Sequence, residues 1–327
     1  MKNLVDAFPQ HLLEALEIGN NAQFRPTDRA FSHIVISGLG GSGIGGKIVS
    51  QVLADACSLP ILCYSDYVLP AFVGVDSLVI ISSYSGDTEE TLAAMHEALA
   101  RGAEVACVTS GGKIGQIAAE RGLNHIIIPG GNPPRSMLGY SLIQLFFVLH
   151  RYGYCGPGFS AQVKAAVSLL HTEHHAMEAW AREVAARLVT RIPVLYSEAS
   201  YEGLAIRWRQ QINENAKMLC WHHVFPEMNH NELVGWTGAD NRIAVLLLRN
   251  ADDHPRSQIR MDLCKKLMSE KCDTLIEVFS KGESRLERTL YLNHLGDLLS
   301  IELAVLRNED PVAIPAIIYL KNALSKV

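Results

Sequence analysis

The chain has 327 residues, 48% hydrophobic and 19% charged, a composition that suits folded domains and excludes a disordered chain, with length enough for two cores. Its formal charge of −5 speaks against a general nucleic-acid binder, which needs a basic footprint, yet leaves room for a small anion in a locally positive pocket. The seven cysteines form no CxxC pair and are odd in number, so they read as reduced, buried small hydrophobes.

At the start, Lys2, Asp6, Glu14 and Glu17 are spread among apolar residues, the pattern of an amphipathic helix and not of a signal peptide. No stretch reaches 18 uninterrupted apolar residues, so the expectation is a soluble, cytoplasmic protein without a membrane span. Short β-branched runs at 33–37, 60–64, 77–82, 104–108 and 125–128 then alternate with helical stretches near 43–57, 88–100, 113–120 and 135–152. Continuous apolar runs of this length fit parallel strands covered on both faces. The turn-rich segment 153–159 marks a boundary between a first domain, 1–153, and a second, 154–327. Beyond it come an alanine-rich helix at 160–190, strands at 192–197, 218–224, 243–248 and 274–278, and a helix from about 201 that ends at Glu214. A long amphipathic helix at 284–307 and a last one starting at Pro315, where proline is tolerated, complete the chain. The fold class is α/β, with two doubly wound parallel-sheet subdomains and flanking helices, the second a degenerate echo of the first.

Two loops look suited to an anion. The first strand is followed by Gly38-Leu-Gly40-Gly41-Ser42-Gly43-Ile-Gly45-Gly46, which leads straight into a helix. Glycines admit close approach of backbone to ligand, and a helix start offers unpaired N–H groups and a positive dipole end. Gly38, Gly40 and Gly43 also satisfy G-x-G-x-x-G, with Asp66 near the position of a ribose-binding acid, so a dinucleotide site competes. The third strand ends in Ser82-Ser83-Tyr84-Ser85-Gly86-Asp87-Thr88, where Asp87 and Glu90 have the spacing of a capping box. Capping needs one short polar residue, whereas Ser83, Ser85 and Thr88 cluster around a glycine. Neutral hydroxyls and free N–H groups at a second helix start favour a phosphomonoester, which a dinucleotide enzyme does not require.

Taken together, these loops resemble the sugar isomerase (SIS) domain, a phosphosugar-binding module. Nearly the whole chain is similar to the bifunctional phosphoglucose/phosphomannose isomerase family, through Gly-Gly-Ser-Gly, Ser-Tyr-Ser-Gly-Asp-Thr, Pro134-Arg135, Asn213-Glu214-Asn215-Ala-Lys217, Pro226–Glu232 and Leu320-Lys321. The resemblance implies an aldose–ketose isomerase that interconverts glucose 6-phosphate and fructose 6-phosphate, with mannose 6-phosphate as a further substrate, through a cis-enediol and without metal or cofactor. Family members with both activities can carry threonine two turns before the terminal lysine, where this chain has Ile314.

The resemblance also assigns roles. Phosphate would be held by Gly41, Ser42, Ser83, Ser85 and Thr88. Glu214, flanked by poor helix formers at a helix end, would be the base that moves the proton. His230, able to exchange a proton near neutral pH, would open the sugar ring, reaching the active site from the neighbouring subunit of a homodimer. Lys321 would assist ring opening, and Arg135, behind the stiff Asn132-Pro133-Pro134, would stabilise the enediolate.

Without the resemblance each residue has a plainer reading. Asn213-Glu214-Asn215 is a common surface sequence, Asn229 and Glu232 can cap a short helix around His230, Lys321 can snorkel, and Arg135 can be a helix-start arginine. His171, His174 and His175 read as a solvated helix face, and neighbouring His222 and His223 on a strand point to opposite faces, so no metal is expected. The stripe Leu286, Leu290, Leu295, Leu299, Leu303 and Leu306 is core or dimer interface. Two other functions stay open. A non-catalytic phosphosugar-binding SIS regulator would normally add a basic DNA-binding domain, which this acidic, sheet-first chain lacks. A dinucleotide-dependent dehydrogenase would rest on the glycine loop alone.

Overall fold

Runs of valine, isoleucine and leucine become strands here because helices cover both of their faces. In a computed structural model, which describes residues 1–324 and Lys326, α1 (Lys2–Asp6) and α2 (Phe8–Asn21) lead into the first sheet. There β1 (His33–Ser37), α3 (Gly40–Val52), β2 (Ile61–Tyr64), β3 (Ser77–Ser83), α4 (Glu89–Ala100), β4 (Glu104–Thr109), α5 (Gly112–Glu120) and β5 (Asn124–Ile127) follow in order. All five strands are parallel, in the spatial order β2-β1-β3-β4-β5. The winding reverses between β1 and β3, so the crevice beyond their C-terminal ends is where such a sheet takes ligands.

Next come α6 (Leu138–Arg151) and the 30-residue α7 (Phe159–Leu188). The pattern then repeats as β6 (Ile192–Glu198), α8 (Glu202–Ala216), β7 (Trp221–Phe225), α9 (Glu232–Gly235), β8 (Ile243–Arg249), α10 (Pro255–Ser269) and β9 (Leu275–Phe279). This second sheet is also parallel, ordered β7-β6-β8-β9, the same winding one strand shorter. Finally α11 (Arg285–Leu306) and α12 (Pro315–Leu324) close the described chain. The expected α/β class with two doubly wound sheets and flanking helices is borne out, the echo included.

The alternation of side chains along each strand sorts the core into layers. Ile34, Ile36, Leu78 and Ile80 of the first sheet and Leu246 and Leu248 of the second face one shared core, filled by residues of α2, α3, α6, α7, α8 and α11. Their neighbours Val79 and Ile81 point outward to Met95 on α4 and Ile114 on α5, while Val245 and Leu247 point to Met261 and Met268 on α10. Five leucines of the α11 stripe, Leu286 to Leu303, are buried within the chain, whereas Leu306 is half exposed. All seven cysteines are free and five are buried. No helix among the described residues is long and apolar enough to cross a membrane.

Some local expectations are corrected. The strand expected at 218–224 begins only at Trp221, because Lys217 turns into the left-handed region at φ 54° and the N–H groups of Lys217 and Met218 return to the Ile212 carbonyl. The helix expected from 135 opens as a tight turn at Pro134–Ser136 before α6 starts at Leu138. The Asp87–Glu90 capping box does not form. Thr88 is the residue that begins α4, and Asp87 Oδ1 instead accepts the Lys113 N–H of α5 at 3.0 Å. Likewise Asn231, not Asn229, caps the short α9 by accepting the Glu232 N–H at 2.5 Å.

Candidate active site

Close approach dictates the first loop. A Cβ added to Gly43 would stand 2.4 Å from the Gly38 carbonyl oxygen, so α3 can leave β1 this tightly only with hydrogen at that position. Gly41 faces the turn that carries Arg135, since a Cβ there would lie 3.6 Å from the Pro134 oxygen and 3.7 Å from the Arg135 backbone. Ser42 is buried, and its Oγ accepts the Tyr84 N–H at 2.9 Å, which ties the glycine loop to the hydroxyl-rich loop across the switch point. In that second loop buried Ser83 donates to Thr88 Oγ1 at 3.2 Å, and exposed Ser85 accepts the Asp87 N–H at 3.3 Å. Thr88 makes no side-chain cap bond to α4. The Tyr84 carbonyl accepts from Ser110, and its hydroxyl accepts the Asn132 N–H at 3.2 Å. Gly41 and Ser42 in the first turn of α3, Ser83 at the end of β3, and Ser85 and Thr88 ahead of α4 therefore all lie along the C-terminal edge of the first sheet, in segments bonded to one another.

Arg135 joins this edge to the second half. It is 4% exposed, and burial pushes its guanidinium below the ordinary value while Glu214 pulls the other way. Arginine stays protonated under such shifts. Its Nε donates to Asn215 Oδ1 at 2.8 Å, Nη1 donates to Glu214 Oε2 at 3.2 Å, and Nη2 donates to the carbonyls of Pro311 and Val312. The two asparagines that are poor helix formers secure the end of α8. Asn213 donates to the Met218 carbonyl at 2.7 Å, and Asn215 donates to Ser300 Oγ at 2.9 Å. Glu214 between them keeps 31% side-chain exposure and opens into a cleft of about 530 Å³ lined by Lys217, Asp310, Ile314 and Ile317 among others. A fixed cation against a half-open carboxylate can carry proton transfer next to developing negative charge.

One expected site residue stands apart from Glu214 in the single chain. His230 is exposed on the turn after β7, whereas α8 ends before β7 begins, so the whole strand separates them, at about 3.3 Å per residue. Lys321 is exposed on α12, one turn beyond Ile317 of the cleft. No residue of α12 is buried, and Ile318, Tyr319 and Leu320 are 52%, 76% and 56% exposed. Reading the sequence assigned no role to Lys217, although a lysine immediately after a helix, where glycine is usual, was a signal. Among the described residues no group of three or more His, Cys, Asp or Glu could hold a metal ion. Asp66, the candidate ribose acid, accepts the N–H of its own neighbour Tyr67 at 2.6 Å.

The architecture has solved counterparts. It superposes on the C-terminal domain of glucosamine-fructose-6-phosphate aminotransferase from Francisella tularensis with a TM-score of 0.74 at 12% identity, covering 95% of this chain and 97% of that one. Tagatose-6-phosphate ketose/aldose isomerase from Escherichia coli matches with a TM-score of 0.67 at 14% identity, over 94% and 89% of the two chains. The fold is that of the SIS sugar isomerases. Sequence narrows this further. The profile of the bacterial phospho-glucose isomerase C-terminal SIS domain matches residues 178–324. The bifunctional phosphoglucose/phosphomannose isomerase of Caldicellulosiruptor bescii is 37% identical over 98% of this chain and 97% of its own, and that of Aquifex aeolicus 37% over 90% and 91%. The chain belongs to the bifunctional phosphoglucose/phosphomannose isomerase family.

Proposed function

We propose that this protein is a metal-independent isomerase that interconverts glucose 6-phosphate and fructose 6-phosphate in the cytoplasm and accepts mannose 6-phosphate at the same site. One observation carries the reading: Arg135, whose backbone packs against Gly41 at the edge where the segments suited to phosphate converge, pairs through its guanidinium with Glu214. Residues 1–153 form the domain that supplies the phosphate loops and Arg135, and 154–327 the domain that supplies the base, the histidine turn and the terminal helix.

In this reading Gly41, Ser42, Ser83, Ser85 and Thr88 hold the phosphate through hydroxyls and helix-start N–H groups. His230 of the partner subunit and Lys321 move protons at the ring oxygen and the anomeric hydroxyl to open the sugar. Glu214 takes the proton from C2 of the open aldose, leaving a cis-enediolate with its charge on O1; the proton on O2 passes to O1, and Glu214 returns its proton to C1 as the O2 carbonyl of the ketose forms. Arg135 offsets the negative charge that grows on the enediol oxygens. The placement of His230 beyond β7 supports a homodimer, since a second copy can bring that turn to Glu214. Glucose and mannose 6-phosphate differ only at C2 and share this enediol, so one base serves both once the chain rotates about C2–C3. Ile314 lines the cleft where that rotation occurs.

The test is Glu214→Gln in coupled assays on both aldose phosphates. Turnover is expected to fall by about a thousandfold or more on each, with thermal stabilisation by fructose 6-phosphate retained. Turnover close to the parent's, or stabilisation by NAD and not by fructose 6-phosphate, would sink the reading.

A further inference from the structure

At the end of α8 stands a residue that local backbone preference argues against. Lys217 adopts φ 54°, a left-handed conformation that glycine adopts freely and a side chain resists. Its side chain shows what it contributes. The Nζ donates to the Glu214 carbonyl at 2.7 Å and, more weakly, to the Asn215 carbonyl at 3.4 Å, and so satisfies the last carbonyls of α8. The same Nζ donates to the Asp310 carbonyl at 2.7 Å, on the segment that links α11 to α12. Arg135 grips that segment from the other side through the carbonyls of Pro311 and Val312, and Arg307 donates to the Ala216 carbonyl at 2.9 Å. Three cations thus clamp backbone oxygens on both sides of the cleft that Glu214 enters. The segment runs from Asn308, the other non-glycine residue at positive φ among the described residues, to Pro315, where α12 begins.

We infer that Lys217 is a positioning residue for proton transfer: it fixes the end of α8 that presents Glu214 against the start of α12, and keeps a positive charge beside that carboxylate. This rests on Glu214 being the base. The charged groups that face the ammonium are Arg135 from the turn before α6, Glu214 on its own helix, and Glu309 and Asp310 from the segment opposite. Burial and Arg135 together hold the amine below the ordinary lysine value.

Lys217→Gly separates this role from a structural one, because glycine suits the backbone there better than lysine does. The expected enzyme has an unchanged or higher Tm, a kcat lower by about tenfold from lost positioning, and a smaller change in KM. Lys217→Arg, which keeps a charged donor there, should restore part of kcat. Parental kcat in Lys217→Gly overturns the proposal, as does a loss of kcat that tracks a lower Tm and is not relieved in Lys217→Arg. Glu214→Gln in the same assay tells the two readings apart. If it keeps turnover, both the base assignment and this proposal fall; if it loses turnover while Lys217→Gly is unaltered, this proposal alone falls.

Discussion

The two sheets wind in the same order, yet the crevices beyond their switch points are chemically opposite. At the first, between β1 and β3, stand glycines and hydroxyls, with the buried guanidinium of Arg135 alongside. At the second, between β6 and β8, stand Glu198, Asp252 and Asp253. Two of those carboxylates, Glu198 and Asp252, are used up internally. Glu198 accepts from the His254 N–H, Ser257 and Ser200 at 2.9–3.0 Å, and Asp252 is held by Tyr201 at 2.7 Å and by Arg285 and Arg288 at 2.9 Å each. Even the helix starts differ: His254 caps α10 with its own side chain, whereas Thr88 leaves the N–H groups of α4 without a side-chain cap. A topological switch point offers a crevice, and the charge placed there decides whether it takes an anion or is sealed.

The joint between the two halves gives the largest expected effect. Arg207 on α8 is 1% exposed and donates from Nη2 to Asp297 Oδ2 at 2.8 Å and to the Arg135 carbonyl at 2.6 Å. Burial pushes the Asp297 carboxyl up although Arg207 pulls it down. Arg207→Leu strands that buried carboxyl, and unfolding in urea should show a loss of about 3–5 kcal/mol. A loss under about 1 kcal/mol would mean that this buried pair adds little to the joint.

Next in size is a transplant of charge from the second crevice to the first. Thr88→Asp puts a carboxylate at the start of α4 while keeping a good helix-capping residue, so Tm should hold. Like charge against a phosphate costs several kcal/mol, and KM for fructose 6-phosphate should rise about a hundredfold. An unaltered KM would remove the start of α4 from the proposed phosphate site and with it the contrast between the two edges.

What could be read from the chain followed the range of the interactions. Strand runs such as Leu78–Ile81 are local patterns, and the structure places them as expected, although the helix expected from 43 to 57 after the glycines runs from Gly40 to Val52. The Arg135–Glu214 contact spans 79 positions, and only a fold can bring those residues together. Asp87 misled for the same reason: its spacing to Glu90 fits a cap, but the N–H of Lys113, distant in sequence, took its carboxylate first. The clamp around Lys217 was hidden because its acceptors are backbone carbonyls, which any sequence supplies. The second crevice was hidden because it lacks the glycines that mark the first, although its strands were found.

The smallest effect tests whether that second crevice is sealed. Asp253 is 3% exposed, accepts the Asn250 N–H at 2.8 Å through Oδ2, and has no partner for Oδ1. Burial, with Glu198 and Asp252 close by, pushes its carboxyl from 3.8 up to about 6. In the window between those values the folded chain keeps a proton that the unfolded chain has released. Stability therefore falls as pH rises through this window and stays lower above it. Asp253→Asn removes the titration, so it should stabilise the protein by about 1–2 kcal/mol at pH 8 and by nothing measurable at pH 4, read by urea unfolding at both values. At the first edge an uncomfortable group, Arg135, is retained beside the carboxylate proposed to move the proton. At the second, a gain from Asp253→Asn would mark a group kept without such a task. Destabilisation at pH 8 would instead mean that the ionised carboxylate is favoured there, and the second crevice would then have a chemistry of its own.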